Sequence, residues 1–391
     1  MKLFSAQYVI TCSGPPLVRP LIETAGDGTV ISVTDTGGNL PERSSLAYYN
    51  GIIVPGFVNC HCHLELSHYR NRIGVGTGLT NFIGAIRRLR ENEPAGAVEE
   101  AVKYDSLMAA TGVVACADIC NGTGSFRAKE SSSIEYVSLI EVFGINPESA
   151  GRRYGEALAV AREALHRQLR HNMTPHSAYS MSLPLMKMVS EYPHGDPVSS
   201  IHFMESESEK ALLQWHEGDL FEYYRGSGIN EDNLVLPESH SDAILNHTSA
   251  EGNLILVHNT FADASTVREV NKRGNTWWCL CAGSNLYITG KMPPVRMLRD
   301  EQCNIVVGTD SLASNSTLSI TNELRILQDA FPELSLEELV KWACLNGARA
   351  LGMDSWAGSI EPGKRPGLVL IEGADLAGKR LLPGSKAKRV I

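Results

Sequence analysis

Short apolar runs and amphipathic stretches alternate through the central part of the chain, from about residue 57 to residue 350. Apolar residues recur at helical spacing in stretches such as 79–90 and 335–351, and the runs between them have the length of buried strands. Such alternation is typical of repeated βα units around a parallel sheet. The strands that we predict lie near residues 56–61, 112–119, 136–143, 174–180, 199–204, 253–258, 275–281 and 304–309. This number of strands favours an α/β fold that closes into a (β/α)8 TIM barrel.

Both ends of the chain have a different pattern, with short strands separated by glycine- and proline-rich turns. These strand-like runs lie at residues 3–10, 28–34, 51–55 and 367–371. We therefore predict two domains. A small composite β-sandwich domain is formed by residues 1–55 plus 358–391, and the barrel occupies residues 56–357.

The composition and net charge argue against some classes of binding partner. The 391 residues are 43% hydrophobic, enough for a large core, and the excess of acidic residues gives a net charge of -9. A nucleic acid or an anionic membrane needs a basic face, so a small-molecule partner is favoured, with a homo-oligomer left open. The nine cysteines are scattered, which favours reduced thiols in the cytoplasm. No apolar run approaches the roughly 18 residues of a membrane span.

The first barrel strand ends in two histidines, His61 and His63. At positions i and i+2 of a strand both imidazoles lie on one face, so both can reach one metal ion. The same spacing also occurs for structural reasons, but the carboxyl ends of barrel strands are where active sites lie. Cys60 and Cys62 alternate with the histidines, so we expect them to point away, into the packing between sheet and helices.

Three more polar residues, His202, His258 and Asp310, each follow an apolar strand. Four imidazoles and a carboxylate at strand ends are hard to explain as core, because buried polar groups need partners. A metal site is the economical interpretation, and this ligand set suits zinc or ferrous iron. The predicted fourth strand, within residues 172–180, lacks a lysine that could bridge two ions, which favours one metal.

These residues resemble the amidohydrolase superfamily, and more narrowly its cytosine and adenosine-type deaminase branch. The motifs that carry the resemblance are His61-x-His63, Pro175-His-Ser-Ala-Tyr179, His202-Phe-Met-Glu205, Gly308 to Asn315 (GTDSLASN) and Gly358 to Lys364 (GSIEPGK). The similarity spans nearly the whole chain. One departure is Cys281-Ala-Gly-Ser-Asn285, where the family usually has proline after the cysteine.

The resemblance implies a role for each matching residue. The implied ligands of a single divalent ion, zinc or alternatively iron, are His61, His63, His202 and Asp310. Metal-bound hydroxide would attack the substrate, and Asp310 would also accept the proton of the water. Glu205 would protonate the ring nitrogen and then carry a proton to the leaving amine, and His258 would orient the water.

The substrate-binding residues are less defined by the sequence. His176 resembles a family residue that hydrogen-bonds the heterocycle, although a structural role is equally open. Glu65 either points into the rim or caps the next helix. Glu207 and Glu209 are alternatives to Glu205, but a charge run is more simply a solvated face. The segment 206–252, which contains Trp215, Phe221, Tyr223 and Tyr224, is predicted to form a lid over a planar substrate.

The function that we predict is metal-dependent hydrolytic deamination of an aminated purine-like heterocycle or nucleoside. The alternatives are a cyclic-amide or halide hydrolase of the same superfamily and an aminodeoxyfutalosine deaminase of menaquinone biosynthesis. A catalytically dead scaffold would be expected to have lost ligands. Glu205 discriminates between the reactions, because loss of an amine needs a proton shuttle. It reaches the site only if the fifth strand ends near Phe203 and the chain then turns.

Overall fold

Three β-sheets organise the chain, which a computed structural model describes over residues 1–91, 96–193 and 195–391. Two of them are parallel sheets of four strands, and the third is a mixed sheet of seven strands built from the two ends of the chain. No helix among the described residues has the length and apolar character needed to cross a bilayer. All nine cysteines are free thiols.

The N-terminal strands come first along the chain. They are β1 (Lys2–Val9), β2 (Leu17–Val18), β3 (Leu21–Thr24), β4 (Val30–Thr34) and β5 (Leu46–Pro55). Only Gly56 separates β5 from the first strand of the parallel sheets. A Cβ at this glycine would lie 2.4 Å from a side-chain carbon of Val114 and from the carbonyl oxygen of Pro366, so only glycine fits this junction.

The first parallel sheet has the order β6-β7-β8-β9, with helices between its strands. Its elements are β6 (Phe57–Cys62), α1 (Leu79–Arg90), α2 (Ala97–Ala110), β7 (Val113–Cys120), α3 (Phe126–Ser131), β8 (Glu135–Val142), α4 (Ala150–His166), β9 (His171–Pro175) and α5 (Leu183–Ser190). Short 3-10 helices lie at Leu64–Tyr69 and Pro147–Ser149.

The second parallel sheet has the order β10-β11-β12-β13. Its elements are β10 (Val198–Phe203), α6 (Glu207–Trp215), α7 (Gly218–Gly226), α8 (His240–His247), β11 (Asn253–His258), α9 (Ala264–Asn271), β12 (Thr276–Leu280), α10 (Ala282–Ile288), α11 (Val295–Asp300), β13 (Ile305–Val307) and α12 (Ile320–Ala330). A 3-10 helix lies at Glu231–Asn233, and α13 (Leu336–Lys341) and α14 (Gly347–Ala350) flank a π-helical turn at Trp342–Asn346.

The two parallel sheets meet at both of their edges. Cys62 pairs with Asp310 in parallel at one seam, and Ser177 pairs with His202 at the other. Backbone hydrogen bonds reinforce the seams: the amide of Asp310 donates to the carbonyl of His61 over 3.0 Å, and the amide of His202 donates to the carbonyl of His176 over 2.8 Å. Both seams therefore bring predicted site residues together.

The last two strands, β14 (Leu368–Glu372) and β15 (Lys386–Arg389), complete the mixed sheet in the order β15-β14-β5-β1-β3-β4, with β2 paired to β1. Both terminal segments thus contribute to one sheet. The sheet is a single layer of seven strands, and the sandwich stays a prediction.

The predicted strands of the parallel sheets agree with the observed bounds to within two residues, except the fourth. We predicted it at 174–180, but β9 spans His171–Pro175. Past Pro175 the chain turns, and hydroxyl groups of Ser177 and Ser180 each lie 2.9 Å from Nδ1 of His176. Local side-chain hydrogen bonds of this kind compete with the strand, which explains the early end.

Candidate metal centre and active site

His61 and His63 lie at the end of β6, where every residue of the strand is buried. Their Nε2 atoms are 3.2 Å apart. Burial lowers the pKa of His61 to about 4 and that of His63 to about 3, so both rings are neutral at physiological pH. Gly308 makes room for this strand end, because a Cβ there would lie 2.8 Å from Cβ of His61.

Asp310 faces the two histidines from the neighbouring strand end. Its Oδ1 atom lies 3.6 Å from Nε2 of His61 and 3.4 Å from Nε2 of His63. Its Oδ2 atom accepts hydrogen bonds from the hydroxyl groups of Ser284, over 2.5 Å, and Ser314, over 2.7 Å. The hydroxyl groups therefore fix the carboxylate so that one oxygen is directed at the imidazoles.

His202, the penultimate residue of β10, completes the cluster. Its Nδ1 donates to the carbonyl of His176 over 3.0 Å, which leaves Nε2 as the nitrogen with a lone pair. Its ring centroid lies 4.9 Å from that of His61 and 5.7 Å from that of His63. Glu141, at the end of β8, lies 3.4 Å from Nδ1 of His202 through Oε1.

Glu141 was not among the site residues predicted from the sequence. It is buried, it forms a possible ligand group with His63 and His202, and it accepts a hydrogen bond from the side-chain amide of Asn121 over 2.9 Å. The signal was available, because Glu141 follows Tyr-Val-Ser-Leu-Ile in an apolar strand, as the other strand-end residues follow theirs.

His258 ends β11 in a left-handed backbone conformation, with φ of 77°. Its Nδ1 donates to Oδ1 of Asn285 over 2.8 Å, which fixes the tautomer with a lone pair on Nε2. That nitrogen is buried and has no hydrogen-bond partner among the described residues. Its neighbour is Oε1 of Glu205, at 3.5 Å.

Glu205 reaches the cluster because the chain turns directly after Phe203, as predicted from the sequence. The strand β10 ends at Phe203, and Met204 has a left-handed φ of 48°. The Glu205 carboxyl is buried, and its Oε2 accepts a hydrogen bond from the hydroxyl of Tyr179 over 3.4 Å. Burial raises the pKa of Glu205 to about 8, so the carboxyl can hold a proton at neutral pH.

The interpretation of Glu207 and Glu209 as one solvated face was wrong for Glu209. Glu207 is exposed, whereas Glu209 is completely buried. Its carboxylate accepts from the amide of Ser206 over 2.7 Å and lies 3.2 Å from Nε2 of His240. With Ser206 it forms a capping box, which holds the first turn of α6 directly after Glu205.

The strand-end histidines, Asp310 and Glu205 lie at a cavity of about 740 Å³. His63, His202, Glu205, His258 and Asp310 all line it. Its remaining walls come largely from helices around the strand ends, including the apolar and aromatic residues Leu79, Phe82, Ile83, Ile86, Tyr179, Tyr223 and Tyr224. An apolar cavity with a few convergent polar groups is the usual form of a small-molecule site.

Part of the predicted lid lies at this cavity. Tyr223 and Tyr224 of α7 line it, together with residues of α1 such as Phe82. Trp215 is 61% exposed, so it does not belong to the wall. Four arginines also line the cavity, two on α1 and two on α4: Arg87, Arg90, Arg152 and Arg153.

The two predicted substrate-binding residues have different positions. His176 lines the cavity, and its ring stacks on that of His202 with centroids 4.5 Å apart. Glu65 does not line the cavity and does not cap the next helix. Its carboxylate instead accepts from the backbone amides of Asn121, over 3.0 Å, and Gly122, over 3.2 Å. Glu65 lies in the 3-10 helix Leu64–Tyr69, and from there its carboxylate supports the loop after β7.

Cys60 and Cys62 are both fully buried, as core residues are. They do not share one layer, however, as simple alternation predicted. Cys62 belongs to the same buried apolar cluster as Met108 of α2, whereas Cys60 belongs to a separate cluster with Val58 and Cys279. The strand pairing shifts register between Asn59 and Cys62, which explains the difference.

The donor set fits a divalent metal ion. Donor atoms of His61, His63 and Asp310 all lie within 4.8 Å of one another, and the same holds for His61, His202 and His258. Neutral imidazoles and one carboxylate are ligands that zinc prefers, and close approach of two imidazole nitrogens is stabilised by a shared cation. None of the possible ligand groups among the described residues includes a cysteine.

The chain is similar to known proteins over nearly its whole length. The amidohydrolase family model matches residues 52–389. An adenosine deaminase of Helicobacter pylori is 24% identical over 389 residues, which cover 94% of this chain and 91% of that protein. A crystal structure of Helicobacter pylori aminofutalosine deaminase, in complex with methylthio-coformycin, has a TM-score of 0.82 at 20% identity, with all of both chains covered.

A further structure, an adenosine deaminase from Xanthomonas campestris with bound zinc, has a TM-score of 0.71 at 20% identity and covers 97% of this chain and 86% of that chain. At this identity the solved structures establish a common fold. The family match covers most of the chain and includes every residue of the cluster. The chain therefore belongs to the amidohydrolase family.

Proposed function

We propose that this chain is a metal-dependent hydrolytic deaminase that releases ammonia from an aminated purine-like heterocycle or nucleoside. The observation that carries the proposal is the position of Glu205, whose buried carboxyl lies 3.5 Å from Nε2 of His258 at the wall of the cavity. A protonated carboxyl beside a group that can hold water is what loss of an amine requires. Relatives named as deaminases support the same reaction class.

One divalent ion, zinc or alternatively iron, would be held by four residues of the cluster: His61, His63, His202 and Asp310. A bound ion of this kind lowers the pKa of a water molecule towards 7 and so supplies a nucleophile at neutral pH. One ion is favoured because β9, His171–Pro175, contains no lysine that could bridge two.

The residues divide the proton transfers between them. Asp310 accepts a proton from the attacking water through Oδ1, because Oδ2 is occupied by two hydroxyl groups. The Nε2 lone pair of His258 orients the water. Glu205 donates its proton to the ring nitrogen next to the attacked carbon. A carbon–oxygen bond forms, and the proton of the new hydroxyl group passes through the now deprotonated Glu205 to the amine. The carbon–nitrogen bond breaks and ammonia leaves, and the proton held by Asp310 then returns to Glu205.

The cavity favours a planar substrate of nucleoside size. His176 would hydrogen-bond the heterocycle, and the aromatic side chains of Tyr223 and Tyr224 would contact its apolar faces. The arginines of α1 and α4 favour a nucleoside with an anionic substituent away from the amine. Aminodeoxyfutalosine deamination is the second candidate, because the chain resembles an aminofutalosine deaminase over its full length.

We infer that the two parallel sheets form one closed (β/α)8 barrel over residues 56–357, since both of their edges are joined by paired residues. Residues 1–55 and 358–391 would then form the small β domain, as a sandwich. A cytoplasmic location and a homo-oligomer are part of the same proposal.

The test is an assay for ammonia. Zinc-loaded protein is offered adenosine, 5′-deoxyadenosine, 5-methylthioadenosine and aminodeoxyfutalosine, and Glu205→Gln protein is the matched control. We expect release of ammonia from at least one of these compounds and almost none with the variant. Release of chloride from a chlorinated ring, or opening of a cyclic amide, with full activity in Glu205→Gln would establish the alternative hydrolase instead.

A further inference from the structure

A fully buried carboxylate lies behind the proposed active site, outside the cavity. Glu323 belongs to α12 and has no exposed surface. One of its oxygens accepts a hydrogen bond from the backbone amide of Gly283 over 2.8 Å. The other accepts from the side-chain amide of Asn315, also over 2.8 Å. No lysine or arginine contacts it among the described residues.

The first of these contacts joins Glu323 to α10, which carries partners of two site residues. Ser284 directly follows Gly283, and its hydroxyl donates to Oδ2 of Asp310. Asn285 comes next, and its side-chain oxygen accepts from Nδ1 of His258. The start of α10 thus holds both the carboxylate and the imidazole in place, and Glu323 holds the start of α10.

The second contact joins Glu323 to the loop that contains Asp310 itself. The side-chain amide of Asn315 also donates to the carbonyl of Thr309 over 2.9 Å, one residue before Asp310. Ser314, the neighbour of Asn315, donates to Oδ2 of Asp310 over 2.7 Å. One carboxylate therefore bridges the two segments that together determine where Asp310 points.

The contact with Gly283 leaves no space for a side chain. A Cβ at position 283 would lie 2.6 Å from Oε1 of Glu323 and 2.7 Å from Nδ2 of Asn315. The carboxylate packs directly on the backbone, so the distance between α12 and α10 is fixed by this interaction.

A buried carboxyl without a cationic partner is costly, and an apolar residue of similar size would suit a core better. We propose that Glu323 is a positioning residue, which locks α10 and the 309–315 loop in one arrangement and so sets the orientation of Asp310 and His258. It does not line the cavity, and its hydrogen-bond partners are Gly283 and Asn315 rather than the metal ligands. The effect on turnover rests on the proposed function, but the effect on metal affinity does not.

The experiment compares Glu323→Gln with the wild type. The glutamine side chain has the same shape as glutamate, but an NH2 group replaces one of the two accepting oxygens. That NH2 group then faces the N–H donor of either Gly283 or Asn315. Outer-shell partners of metal ligands typically affect metal affinity or activity by about 10–100-fold. We expect a loss of that size in kcat with KM nearly unchanged. We also expect a comparable loss in zinc affinity, measured without substrate by competition with a chelator.

Asp105→Asn is the matched control. Asp105 is a buried carboxyl on α2 that accepts from the hydroxyl groups of Ser132, over 2.6 Å, and Tyr136, over 2.8 Å, and it does not line the cavity. This change is expected to lower the thermal unfolding midpoint and to leave kcat and zinc affinity within about two-fold, as any merely structural change would.

Gly283→Ala disrupts the contact between Glu323 and Gly283 by a change in α10 instead of α12. It tests the positioning role if Glu323→Gln does not fold. A loss of about ten-fold or more in zinc affinity supports the proposal. Unchanged zinc affinity and kcat in a folded variant overturn it. If the wild type deaminates none of the compounds but zinc affinity falls as described, the positioning role holds and only the proposed reaction fails.

Discussion

Two buried polar clusters, one at the first parallel sheet and one where the two parallel sheets meet, differ in how their hydrogen bonds are satisfied. In one of them Nζ of Lys129, which is buried, lies 2.7 Å from Oδ2 of Asp118 and 2.9 Å from the hydroxyl of Ser138. Asp118 also accepts from the backbone amide of Leu64 over 2.7 Å. Each charge in this Lys129–Asp118 cluster has partners within the protein.

The strand-end cluster of His61, His63, His202 and Asp310 is different. Its ligand atoms lie within 4.8 Å of one another in groups of three. The Nε2 atoms of His61 and His63 are in contact, and these two neutral imidazoles cannot both donate a hydrogen bond there. His258 beside it keeps a buried nitrogen without a hydrogen-bond partner. The comparison teaches that a cluster balanced by its own charges is structural, whereas one whose lone pairs converge depends on a cation or a substrate to satisfy it.

The largest effect is expected when a ligand of the strand-end cluster is removed. Asp310→Ala or His61→Ala should lower turnover by several decades, on the order of the whole contribution of the metal. The fold should persist, because these side chains contribute no matched ion pair. Activity assays with elemental analysis check this, with about one equivalent of metal expected in the wild type.

A variant of either residue that retained activity would show that the metal lies elsewhere. Two tightly held ions in the wild type would contradict the single-metal site. Glu207→Ala is the control, since Glu207 is exposed and lies shortly after β10, the strand that carries His202.

The second effect concerns Glu205. Glu205→Gln keeps the size of the side chain and removes the transferable proton, so turnover should fall by about 10²–10⁴-fold. Metal content should not change, because Glu205 faces His258 rather than the four ligands. Steady-state kinetics and metal analysis on the same sample make the comparison. Turnover within a few-fold of the wild type would exclude Glu205 as the proton shuttle.

The third effect concerns the Lys129–Asp118 cluster, where we expect a change to lower the stability and to leave turnover nearly unchanged. Lys129→Met leaves Asp118 buried without its cation, which costs about 3–5 kcal/mol in the free energy of unfolding. The double variant with Asp118→Leu should recover part of that loss. Urea unfolding measures the stability, and kcat per folded molecule should stay within a few-fold. A stability like that of the wild type would mean that the ion pair contributes nothing.

The strand ends were predictable because they depend on local sequence. Apolar runs place His61, His202 and His258 at the ends of β6, β10 and β11, and strand alternation fixes which residues share a face. The family assignment followed from those positions and is confirmed by the family model. The turn after Phe203 was also predicted, from the need to bring Glu205 to the cluster.

The supporting residues were not predictable, because their roles depend on contacts between distant segments. Glu209 lies in a charge run but is buried by α8, through His240. Lys129 and Glu323 lie on helices, where a charged residue is ordinarily at the surface. Nothing in the local pattern indicates that the first meets Asp118 of β7 or that the second meets the start of α10.

The smallest effect, and the one that separates the two clusters most directly, is the response of stability to zinc. A ligand that binds only the folded state adds about 2.7 kcal/mol at a concentration of 100 times its Kd, which is a few degrees in the thermal unfolding midpoint. We expect this rise in the wild type and in Lys129→Met, because the ion pair takes no part in binding. We expect none in His61→Ala. Scanning fluorimetry of metal-free protein with and without zinc gives all three shifts. A rise that survives in His61→Ala would mean that zinc binds at another site, and the distinction between a balanced cluster and one that needs a cation would fail for this protein.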